Sequence, residues 1–329
     1  MKTKRTMSKW TGGTVLAGLS MMSLPALAQD VSSPDSGDSG TPAVQGQTAE
    51  NAGESARLPI TASSGLSEQF YSKIKDAASG SFSITRFNVG VKAPVRLGDD
   101  AILATSFRYG LDSYDFNSLP AGTPTPWHNI NTLQLASILS WRVDDAWTAY
   151  GGAFVRMSSD SSVALGNGIS GGGLMGFNYK FDDSLTLGAG LAIASQIKDH
   201  TLFLPLVTAK WKFADYWRLD VGLTDVATSG YGAEVKWLFS DNWDFGFGLQ
   251  MHTSRFRIEP TTTKAVGQEK ATTLYADATW HATPKIDADG FVGIATGGDI
   301  KIENNSGTQI YGHKYDAAAI LGVKGSIKF

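Results

Sequence analysis

The residues most suggestive of chemistry are His252 and Ser254, two positions apart, with Glu259 beyond them. Side chains two apart on a strand share a face, so the histidine and serine would stand side by side. A histidine able to take the serine proton, oriented by a carboxylate, is what a serine hydrolase requires. The parity of the surrounding strand turns both residues inward, however, and an ordinary polar pair accounts for them more simply. The chain has 5 histidines, His128, His200, His252, His281 and His313, and none stands in a metal-ligand spacing such as HExxH. Gly171, Gly172, Gly173, Gly176, Gly188 and Gly190 resemble a phosphate loop only in number, since no Lys-Ser/Thr follows them. Cysteine is absent, which removes disulfides, thiolate metal sites and lipid acylation. No cofactor and no metal are implied.

A second constellation is electrostatic. Arg96, Arg142, Lys180, Lys210, Lys212, Arg218, Lys236 and Lys328 fall on even positions close to short turns. Arg86, Lys92, Arg108, Arg156 and Lys324 share that parity, against the acids Asp112, Asp220, Glu234 and Asp244. If even residues line a lumen, these cations form a basic collar that concentrates anions. The competing account is that strand-end Lys and Arg extend to the interface and keep the rim wet.

These residues need strands to position them. From residue 81 to the end, apolar and polar side chains alternate, as in Trp243, Phe245, Phe247, Leu249 and Met251 against Asp244, Gly246, Gly248, Gln250 and His252. Thirteen such segments are read, eleven with the apolar face on odd residues and two, around 271–302, with the parity reversed. Short turns rich in Asp, Asn, Gly and Pro, at 98–100, 144–145, 182–183, 214–216, 240–242 and 283–285, join the strands at one end. Longer polar connections, at 115–130, 158–168, 259–270 and 303–314, join them at the other. Short turns on one side and long loops on the other are the pattern of a transmembrane β-barrel. The fold expected is therefore all-β, an antiparallel up-and-down barrel of 12 to 14 strands. Because 13 is odd, an upward strand between about 57 and 74 is the natural addition.

Aromatic residues recur at one distance from the short turns. Trp147, Trp217 and Trp243 follow a turn directly, whereas Trp141, Phe181, Phe213 and Phe239 precede one, all on odd positions. Together they are expected to form a girdle at the periplasmic membrane boundary. The last strand, over 315–329, ends on the outward-facing Phe329. That ending resembles the C-terminal signature of bacterial outer-membrane barrels, which implies recognition by the barrel assembly machinery.

Residues 201–250 carry Leu204-Pro205-Leu206, a Trp-bearing strand, a DxW turn and a Tyr-Gly return strand. This stretch resembles an uncharacterised family, a domain of unknown function, of Gram-negative outer-membrane, porin-like barrels. The resemblance implies the fold over about 81–329 and no activity. The His-x-Ser pair also loosely resembles that of outer-membrane lipid A deacylases, which are smaller barrels with a lipid-facing site.

Ahead of the barrel, Lys2, Lys4, Arg5 and Lys9 precede an apolar stretch ending in Ala26-Leu27-Ala28, so 1–28 is expected to be a signal peptide. Its removal takes the formal charge from −3 to −7, which argues against general nucleic-acid binding. Residues 29–65 are expected to form a disordered periplasmic linker. Leu66, Phe70 and Ile74 fit one face of a short helix over 66–80, which could also be a lumen plug or an extra strand. The expected partners are outer-membrane lipids and lipopolysaccharide, the assembly machinery, and small solutes. The function expected is passive diffusion of small solutes with a weak anion preference, narrowed by the 115–130 loop or by the N-terminal segment. The alternatives are a closed structural or adhesion barrel binding through its loops, and a membrane hydrolase.

Overall fold

A strand with one apolar face cannot satisfy its backbone or bury that face alone, and in lipid only closure into a ring meets both demands. The computed structural model describes residues 58–75, 80–119, 125–197, 199–224, 226, 229–259 and 264–329. The expected signal peptide, and the linker up to residue 57, lie outside the described residues.

The wall runs through β1 (Thr61–Lys73), β2 (Ser81–Arg96), β3 (Ala101–Asn117), β4 (Asn129–Arg142), β5 (Trp147–Asp160), β6 (Ile169–Lys180) and β7 (Leu185–Gln196). It continues through β8 (Asp199–Ala214), β9 (Trp217–Thr224), β10 (Gly230–Ser240), β11 (Trp243–Ile258), β12 (Ala265–Thr283) and β13 (Ile286–Asn304). Each pairs antiparallel with the next. β15 (Ala318–Lys328) closes the ring between β13 and β1, while β14 (Gln309–Lys314) continues the same course beside the loop end of β13. Counting β14 and β15 as one interrupted wall strand gives a closed barrel of fourteen.

The stretch spaced like a helix is the missing strand. In β1, Leu66 and Phe70 point outward, while Ser67 and Gln69 are buried inside. A separation of four residues is common to one face of a helix and one face of a strand, so the spacing alone does not distinguish them. The wall therefore begins at Thr61, and this segment is neither a helix nor a plug.

Outward apolar residues are odd over most of the chain, as with Phe107, Leu135, Val207 and Phe247, and even in β12 and β13, as with Leu274, Val292 and Ile294. Two of the short turns are built by their own aspartates, Asp144 and Asp182. Asp182 accepts from the Ser184 hydroxyl at 2.7 Å and from the Ser184 and Leu185 amides at 2.7 and 2.9 Å. The Ser184 hydrogen bond, first among these, holds the exposed Asp182 carboxyl below the ordinary aspartate range.

The wall is uneven in height. β12 and β13 have 19 residues each, nearly twice the roughly 10 that cross a bilayer, whereas β9 has 8 and β10 has 11. The tall side leans across the loop end until Arg257 of β11 forms a parallel bridge with Ser159 of β5.

Candidate functional site

The barrel interior is layered. At the turn end lies a polar cavity of about 540 Å³ whose lining includes Thr61 and Lys328, the first and last residues of the wall, so it reaches that rim. Seven cations line it, Lys92, Arg108, Lys210, Arg218, Lys236, Lys324 and Lys328, against four acids, Asp220, Glu234, Asp287 and Asp289. Three cations are matched locally: Arg218 to Asp220 at 2.9 Å, Lys236 to Glu234 at 3.3 Å and Lys328 to Asp287 at 3.5 Å.

Half of the expected collar lies elsewhere. Lys210, Arg218, Lys236 and Lys328 line the cavity, whereas Arg96, Arg142, Lys180 and Lys212 do not. Arg96, Arg142 and Lys180 are the final residues of β2, β4 and β6 and stand at the rim. There Arg142 pairs with Asp100 at 2.7 Å and Lys180 with Asp183 at 2.6 Å, both pairs well exposed to solvent. Parity identifies the inward face but not the height on it.

Above the cavity sits a charged layer with a small void of about 100 Å³. Its centre is Glu269, fully buried, which faces Arg86 at 3.5 Å and His252 Nε2 at 3.4 Å and accepts from the Tyr315 hydroxyl at 2.6 Å. Arg86 also donates to Gln69 at 3.3 Å, tying β1 into the layer. His252 Nδ1 lies 3.2 Å from the Ser229 carbonyl, in a connection that enters the lumen and is reached from the opposite wall by Arg108.

This geometry removes the hydrolase arrangement. Ser254 Oγ accepts from Arg156 at 3.3 Å, the two nitrogens of His252 face Ser229 and Glu269, and Glu259 lies exposed past the end of β11. The carboxylate that does orient His252, Glu269, escapes a sequence reading because it falls in the stretch 259–270, expected to be a connection, whereas β12 begins at Ala265.

The loop end is dry. Trp127, 2% exposed, is folded inward by the connection between β3 and β4. It meets Tyr114, Phe116 and Phe256 edge-on at 5.6, 5.7 and 5.0 Å between ring centres. Phe82, Ile84, Ile130, Ile258 and Ile300 complete this cluster. Of the 115–130 stretch, described apart from residues 120–124, Trp127 packs into the lumen, and the described N-terminal strand, being wall, contributes no plug. The inner face is thus not polar throughout: even residues such as Phe82, Ile84 and Tyr114 are apolar and face inward.

A second apolar patch covers the inner face of β4–β8 and includes Ile138, Tyr150, Phe154, Leu174, Leu204 and Leu206. The glycines belong here. A Cβ at Gly190 would come within 2.7 Å of the Tyr150 hydroxyl, and one at Gly176 would collide with the same group. These glycines make room for a ring lying against the wall, not for a phosphate.

Outside, Trp141, Trp147, Phe181, Phe213, Trp217, Phe239 and Trp243 are all exposed at the turn end, with Phe329 69% exposed beside them. Trp280, on an even residue, stacks on Trp243 at 6.2 Å, and Trp237 stacks on Trp217 at 6.0 Å. The amide of Phe329 donates to the Ile60 carbonyl at 2.9 Å, so the last residue is tied to the start of the wall.

A closed antiparallel ring with a predominantly apolar exterior and a charged cavity inside it is a transmembrane β-barrel of the outer-membrane class. The model of a family described as Domain of unknown function (DUF6268) matches residues 132–325, and the chain belongs to that family. Sequence comparison with curated proteins gives no match. Among solved structures, the COG4313 outer membrane channel from Pseudomonas putida F1 is similar at 12% identity and a TM-score of 0.44, covering 86% of this chain and 100% of that one. A FadL homologue from Pseudomonas aeruginosa gives 11% identity and a TM-score of 0.45, with 82% and 90% covered.

Proposed function

We propose that this barrel is an outer-membrane channel for small solutes, in which the turn-end cavity is a periplasmic vestibule and the Trp127 cluster is the closed gate. The observation that carries the reading is the 540 Å³ polar cavity itself, open to one rim in a barrel whose other end is packed. A purely structural barrel gains nothing from seven cations around one cavity, six of them half-buried, whereas a channel uses them to set the local potential. The excess of cations over acids supports passage by passive diffusion with a weak preference for anions. The outward aromatics at the turn end serve as the periplasmic girdle, and Phe329 serves as the assembly signal. Arg142 and Lys180, paired at the rim, keep that edge solvated.

The test is current through the refolded protein in a planar bilayer under a salt gradient. Openings whose reversal potential is displaced toward the anion support the reading. Cation-directed reversal would remove the anion preference. Silence from folded protein, with the gate removed as well as intact, would favour the loop-binding barrel.

A further inference from the structure

The wall has a seam. Between β8 and β9 the pairing runs to Ala209 with Val221 and stops. β8 nevertheless stays paired with β7 to Asp199, and β9 stays paired with β10 to Thr224. Among the described residues, 199–208 of β8 have no ladder partner on the β9 side. An unpaired edge inside a membrane wall is costly, because hydrocarbon supplies no substitute hydrogen bonds.

Three residues mark the seam as built. Gly222, where β9 leaves β8, has φ of 142°, a conformation open to glycine and rare for other residues. Pro205 sits in the unpaired stretch, and a residue without an N–H belongs at such an edge and not inside a ladder. Tyr231 then spans the gap: its hydroxyl accepts from the Val207 N–H at 3.2 Å and donates to the Val207 carbonyl. One phenol replaces a pair of ladder bonds.

Elsewhere along the gap the closure is apolar. Leu204, Leu206 and Leu223 are buried behind it, and Phe203 and Val207 face the lipid in front. Such contacts hold poorly against lipid, whose tails are as apolar as leucine and can replace them at little cost. The vestibule reaches the seam from inside, since Thr208, Ala209, Leu223 and Thr224 all line it.

We propose that the β8–β9 seam is a lateral gate latched by Tyr231, through which a small, mainly apolar molecule bearing a hydrogen-bonding group passes between the bilayer and the vestibule. The apolar body matches the leucine-lined gap, and the polar group matches the cavity beyond it. This rests on the channel reading, which makes the cavity a transit compartment, and adds a route into it from the membrane.

Because the chain has no native cysteine, a single thiol reports the route. Leu223→Cys, refolded into vesicles, is exposed either to a phospholipid carrying a maleimide at the end of one acyl chain or to a membrane-impermeant thiosulfonate in the water. Reaction with the acyl maleimide, accelerated roughly tenfold or more by adding Tyr231→Phe, is the expected result, the size being that of two lost hydrogen bonds. The thiosulfonate rate should be unchanged by that second substitution. Reaction with the thiosulfonate alone in both backgrounds would overturn the gate and leave the vestibule standing. Reaction with neither, in protein whose heat-modifiable gel migration shows it folded, would overturn the channel reading as well. Thr208→Cys, on the β8 side of the same cavity, serves if Leu223→Cys does not fold.

Discussion

The two ends of this lumen are made from the same strands and do opposite things. Toward the turns, inward positions such as Lys92 and Lys210 line a charged cavity that reaches the rim. Toward the loops, inward positions on the same strands, Phe82 and Ile84 on β2 and Leu204 on β8, are dry and packed. The barrel is thus a globular core set on top of a vestibule, with the Glu269 layer as the boundary between them. A transmembrane wall takes its apolar face from lipid, so the inner face is free to vary with height.

If the loop-end cluster is a packed core, its loss should be the most damaging change. Trp127→Ala should lower stability by about 3–5 kcal/mol, the usual cost of removing a buried aromatic, read from urea unfolding in detergent. A change below about 1 kcal/mol would mean the loop merely rests on the mouth.

The boundary layer comes next. Glu269→Gln leaves Arg86 and His252 facing a neutral group and should cost roughly 3 kcal/mol, since breaking a buried pair strands its partner. The same unfolding measurement checks it, and a near-neutral result would show that the layer is wetter than its burial suggests.

In the vestibule the expected effects are electrical and not structural. Lys210 lines the cavity without an ion pair among the described residues, so Lys210→Glu should leave stability within about 0.5 kcal/mol and move the reversal potential toward the cation. An unmoved potential would place the selectivity elsewhere. At the rim the change should be smallest: Arg142→Ala breaks a pair in which both side chains are about half exposed, and should leave both the unfolding transition and the reversal potential unaltered.

Much of the wall was legible in the sequence. Alternation, short Asp-rich turns and aromatics at a constant distance from them gave strands, ends and facing, because period two and turn chemistry are local properties. β1 was obscured because Leu66 and Phe70, four apart, suit helix and strand alike. The reversed parity of β12 is legible, but Glu269 falls in 259–270, expected to be a connection, and Trp280 lies on an even residue, outside the odd-numbered girdle. The site was less legible. Parity put Arg96, Arg142 and Lys180 on the inward face, and their closeness to the short turns left open whether they line the lumen or, as strand-end residues, stand at the rim. The dry cap departs from the polar inner face expected of even residues, in Phe82, Ile84, Tyr114 and Phe116, and their meeting with Trp127 and Phe256 is a long-range contact that no local pattern encodes. The seam likewise needs three distant residues, Pro205, Gly222 and Tyr231, to be seen together.

The most direct test of the division between gate and vestibule is the single-channel current of the full chain, with and without Trp127→Ala, in the same bilayer. The account predicts rare openings from the native protein and long-lived, anion-biased conductance from the variant. Equal silence from both, in protein shown to be folded, would contradict it.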